Sequence, residues 1–89
     1  MIGSVMPYAW KEREDLAKAE IDITAGEMRV AEQIALIEWM TNKGQDTTEA
    51  RRLLRNYDET LEQFQVHRQL ILDEIVRQER HEPSGTPDP

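Results

Sequence analysis

The sequence predicts an all-α protein: an antiparallel two-helix hairpin of coiled-coil type, paired with a second hairpin into a four-helix bundle. Three observations carry this expectation. Two long stretches have apolar residues at heptad spacing. Between them stands Asn42-Lys43-Gly44-Gln45-Asp46-Thr47-Thr48-Glu49, which has the order of a helix stop, a turn and a helix start. A further apolar series runs along the first stretch, beyond what one hairpin seam needs.

The elements follow in order. Residues 1–6 are expected to form a flexible arm, and the hairpin to span 7–82. Helix 1 is expected over about 7–43, opened by Pro7, whose missing amide suits a first helical position. Leu16, Ile23, Val30 and Ile37 recur every seven residues, and Ala19, Gly26, Gln33 and Met40 stand three residues after each. Small residues in that second series let another backbone come close. Gly26 costs a helix ~1 kcal/mol against alanine, which marks it as a packing position.

The turn occupies 44–46. Gly44 takes a left-handed backbone at little cost, and Asp46 accepts from free amides of the next helix. Glu49, three residues later, completes a capping box. Helix 2 then runs over about 47–81 with a seam of Ala50, Leu54, Tyr57, Leu61, Phe64, Ile71 and Ile75, broken by the polar Arg68. With the chain folded at Gly44, Ile37 faces Leu53 and Leu54, and Val30 faces Tyr57 and Leu61. Gly26 lies near Phe64, and Leu16 near Ile71 and Ile75. His67 is expected beside the seam, partly buried, across from Ile23. Residues 83–89 hold three prolines and no apolar anchor, the composition of a disordered tail.

Composition narrows the functional classes. Eighty-nine residues allow one small domain, and a net charge of −7 repels nucleic-acid phosphates and anionic membranes. With no cysteine there is no disulfide or thiolate site. The N-terminus has no basic leader, and no stretch approaches the ~20 apolar residues of a membrane span, so a soluble cytoplasmic protein is expected.

Chemistry is sparse. His67 and His81 are the only histidines, and neither follows a glutamate by three residues, so the pattern of a metal-carboxylate bundle is missing. Phosphate loops, dinucleotide fingerprints and zinc spacings are also missing. No catalytic, cofactor or metal residue is assigned, and no enzyme activity is expected. Arg51, Arg52 and Arg55 form the one cluster able to contact an anion; a solvated face with internal ion pairs is the simpler account.

The candidate interface is the second apolar series on helix 1: Ile21, Met28, Ala35 and Trp39, with Ala25 on the same side. Either Met28 and Trp39 widen the hairpin core, or, since a surface helix normally shows one apolar stripe, the second is covered by a partner. The expected partner is a second copy, forming a homodimer, or another protein.

Gly26-Glu27-Met28-Arg29-Val30-Ala31-Glu32-Gln33, the turn from Gly44 to Ala50 and the pair His67-Arg68 resemble a group of short helical proteins common in alphaproteobacteria. The resemblance covers Asp15 to Ile75 and implies a bacterial helical hairpin; it carries no established activity and adds no site. The function expected is an interaction module, an adaptor or regulator. The alternatives are a nucleic-acid-linked regulator working through the arginine cluster and a metal-carboxylate helical bundle.

Overall fold

The computed structural model describes residues 9–80. Among them are two helices and no strand: α1, Trp10–Asn42, and α2, Thr48–Arg80, which pack against each other. Each has 33 residues, so each is about 50 Å long. The expected arm, Pro7, His81 and the tail lie outside the described residues.

The seam has heptad spacing. In α1 the shielded positions include Leu16, Ala19, Ile23, Gly26, Val30, Gln33, Ile37 and Met40; in α2 they include Ala50, Leu54, Tyr57, Leu61, Phe64, Ile71 and Ile75. Near the open end Ala9, Ala19, Ile71 and Ile75 form a buried cluster with Leu16 packed against it. In the middle, a Cβ on Gly26 would stand 3.2 Å from Leu61 Cδ1 and 3.7 Å from Phe64 Cδ2. Leu61 therefore shares with Phe64 the role expected of Phe64 alone. Toward the turn the buried Gln33 donates from Nε2 to the Ala50 carbonyl at 2.9 Å. That bond satisfies a polar side chain inside the seam and ties the helices at one height.

The turn is built from backbone. Gly44 has φ 72°. Its amide donates to the Thr41 carbonyl at 3.0 Å, and the Gln45 amide to the Met40 carbonyl at 2.9 Å. This pair of bonds is a Schellman motif, which closes a helix through a left-handed residue. α1 consequently ends at Asn42, with Lys43 as its cap, one residue earlier than expected.

α2 starts at Thr48, because its first backbone bond runs from the Arg51 amide to the Thr47 carbonyl. Asp46 Oδ1 accepts from the Thr48 amide at 3.0 Å and from the Thr48 hydroxyl at 2.7 Å. The hydroxyl bond and then the amide bond hold its carboxyl below the ordinary aspartate value. Glu49 does not close the expected capping box: its Oε1 accepts from Arg52 at 3.0 Å. The Asp46 bonds already serve this end, which leaves Glu49 to the arginine one turn on.

At the other end α1 begins at Trp10, three residues later than expected. Ala9 caps it with φ 56° and no side-chain capping bond. A left-handed alanine costs about 1–2 kcal/mol. Its methyl group is buried with Ile71 and Ile75, and this burial offsets part of the strain.

Candidate interaction surface

Successive helical residues are rotated by about 100°, which places Ile21, Met28, Ala35 and Trp39 on the side of α1 turned away from α2. All four are exposed, and the three large ones are 68%, 58% and 53% accessible. Trp10 stands eleven residues before Ile21, three helical turns away, and extends the stripe toward the open end. It is also exposed. The sequence reading missed Trp10, although its spacing from Ile21 was available as a signal. A shallow groove bordered by Ala17, Ile21, Thr24, Ala25 and Met28 runs through the stripe. Lys43 Nζ lies 5.6 Å from the Trp39 ring centre, a cation–π contact at the turn end of the face.

A smaller apolar patch lies on α2. Val66 and Leu70 are exposed beside Glu59, Glu62, Gln63 and His67. His67 is itself exposed, not partly buried as expected. The seam position between Phe64 and Ile71 belongs to Arg68, whose Nη2 and Nε approach Glu20 Oε2 at 3.2 and 3.3 Å. An arginine can bring its stem over the seam and its charge to the edge, which a histidine one residue earlier cannot do from the same height. Arg13 and Glu79 form a second ion pair between the helices.

Two of the three arginines have partners at the start of α2. Arg51 Nε donates to Thr47 Oγ1 at 2.8 Å, and Arg52 pairs with Glu49. Arg51 also borders the groove formed by Ile34, Ile37, Thr41 and Leu54. Arg55 is exposed.

Among the described residues no group of three histidine, cysteine, aspartate or glutamate side chains is placed to hold a metal ion. Neither helix is long and apolar enough to cross a membrane. No protein-family model matches the chain, and no curated protein or solved structure is significantly similar to it.

Proposed function

We propose that the hairpin is a protein–protein interaction module, an adaptor or regulator acting in the cytoplasm, and that it associates with itself through the outer face of α1. One observation carries the reading: the side of α1 opposite the seam holds Ile21, Met28 and Trp39, all more than half exposed and spaced along one stripe. Single exposed apolar residues are ordinary, whereas a contiguous patch marks an interface. Two copies joined there give a four-helix assembly. A symmetric dimer is the commonest oligomer of soluble proteins.

The arginine cluster lends less support to a nucleic-acid-linked reading, since Arg51 and Arg52 are engaged within α2 and the chain is acidic.

The test is the double variant Met28→Glu with Trp39→Glu. Light scattering should show the assembly splitting into single chains, while circular dichroism shows each chain still helical. Both substitutions fall on the exposed side, away from the seam, so the hairpin should survive. An assembly that keeps its mass with both charges in place contradicts the reading.

A further inference from the structure

The outer face of α1 carries more than apolar residues, and its pattern says how a second copy would lie on it. In helical projection Glu14 and Glu32 fall within the stripe, and Lys43 falls along the same edge of it. Large and small residues also alternate. Ile21 and Ala35 stand seven residues on either side of Met28, and Ala17 and Trp39 stand eleven residues on either side.

Two symmetric arrangements bring such a face onto its own copy. In a parallel pair each residue meets its own counterpart. Glu14 would face Glu14 within an apolar contact, where a carboxylate needs a partner. Trp39 would meet Trp39, and alanine would meet alanine, leaving a gap at each small layer. In an antiparallel pair with its two-fold axis at Met28, residues equidistant from Met28 meet instead. Ile21 then covers Ala35 of the other copy, and Trp39 covers Ala17. The same register sets Lys43 of one copy beside Glu14 of the other, twice by symmetry. Among the described residues neither Glu14 nor Lys43 forms a salt bridge inside the hairpin.

The available area is sufficient. Aromatic side chains have ~150–250 Å² each, and Trp10, Ile21, Met28 and Trp39 are about half exposed, so with the alanines between them the face offers on the order of 600 Å². A specific interface buries roughly 600–1,000 Å² per partner.

From these observations we infer that the partner of this face is a second copy of the chain, with the two α1 helices antiparallel and crossing at Met28. The inference rests on the self-association proposed above and specifies its geometry. Because the face lies opposite the seam, the four helices form a row, α2–α1–α1–α2, not a square bundle.

The chain has no cysteine, so single cysteines report the geometry directly in the full-length protein. A disulfide requires Cα atoms within about 7 Å. Met28→Cys should cross-link to itself under mild oxidation. Ile21→Cys alone and Ala35→Cys alone should not, because their counterparts lie about 21 Å apart along the helix. A mixture of the Ile21→Cys and Ala35→Cys proteins should cross-link. Charge reversal gives an independent readout: Lys43→Glu should weaken the dimer by about tenfold, and adding Glu14→Lys should restore most of that.

Efficient self-linking of Ile21→Cys and Ala35→Cys indicates a parallel pair and overturns the inference while leaving self-association standing. A dimer in which no cysteine on this face links overturns it as well, because the contact is then elsewhere. Unmutated protein that sediments as a single chain at micromolar concentration removes the self-association reading, and the geometry with it.

Discussion

α1 and α2 are equal in length and meet along one seam, yet their remaining surfaces differ. The exposed large apolar residues of α2 are aliphatic: Leu53, Val66, Leu70 and Val76. Those of α1 include Ile21, Met28 and both tryptophans of the chain, Trp10 and Trp39. The difference teaches that the hairpin seam is not where this chain's largest side chains go. No tryptophan is in it, and its tightest layers use Ala19 and Gly26.

The sharpest way to break that comparison is to truncate one isoleucine on each side. Ile71→Ala removes a buried side chain from the open-end cluster and should cost about 2–4 kcal/mol in denaturant unfolding. Ile21→Ala, measured at a concentration where the chain is single, should cost less than about 0.5 kcal/mol. Equal costs would mean that the outer face is folded into the hairpin itself.

Gly26 tests the close approach of the helices. Gly26→Leu should overpack the Leu61 and Phe64 layer and lower stability by about 1–3 kcal/mol. Gly26→Ala sharpens the point. Its Cβ meets the mobile end of Leu61 at 3.2 Å, a small adjustment set against the ~1 kcal/mol that alanine gains in a helix. Thermal melts should therefore show the alanine variant near or above the parent and the leucine variant below it.

The turn is the next smaller effect. Gly44→Val forces a β-branched residue to φ 72° and should cost about 1–2 kcal/mol. A Cβ there meets no neighbouring atom, so the loss would come from backbone strain alone and should leave the dimer geometry unchanged.

The smallest effect is in pH. Asp46 is held below its ordinary pKa by the Thr48 hydroxyl and amide, and Glu74 by Gln78 first and then by Arg77. A lowered folded pKa gives stability that is complete above the unfolded value and is lost as pH falls through the folded one. The melting temperature should thus decline from about pH 5 downward. Asp46→Asn keeps an acceptor for the amide but does not titrate, so it should flatten part of that decline with little change at neutral pH.

The helical hairpin was legible in the sequence because its signals are local or periodic. Leu16, Ile23, Val30 and Ile37 mark one side of the seam by spacing alone, and Gly44 marks the turn by its freedom to take positive φ. The cross-links were not legible. Arg68 with Glu20, Arg13 with Glu79 and Gln33 with the Ala50 carbonyl depend on the relative height of the two helices. Charges are too frequent in this chain for spacing to select a partner. Arg68 was placed in the seam by its spacing, but His67, expected to be partly buried beside it, is exposed, because how far a flanking side chain is covered depends on the packed helices. The outer stripe showed through Ile21, Met28, Ala35 and Trp39, while Trp10 lay too near the predicted arm to be joined to it. Asp46 accepts from the Thr48 amide, as its place before the helix suggested, and Glu49 pairs with Arg52.

The central claim, that a second copy covers the outer face of α1, is tested most directly by sedimentation equilibrium of the unmutated chain from about 1 to 100 µM, a span set by the affinity expected of an interface this small. The account predicts a mass that rises with concentration toward two chains, and a Met28→Glu, Trp39→Glu variant fixed at the mass of one. A single-chain mass for the unmutated protein across the whole range would contradict it.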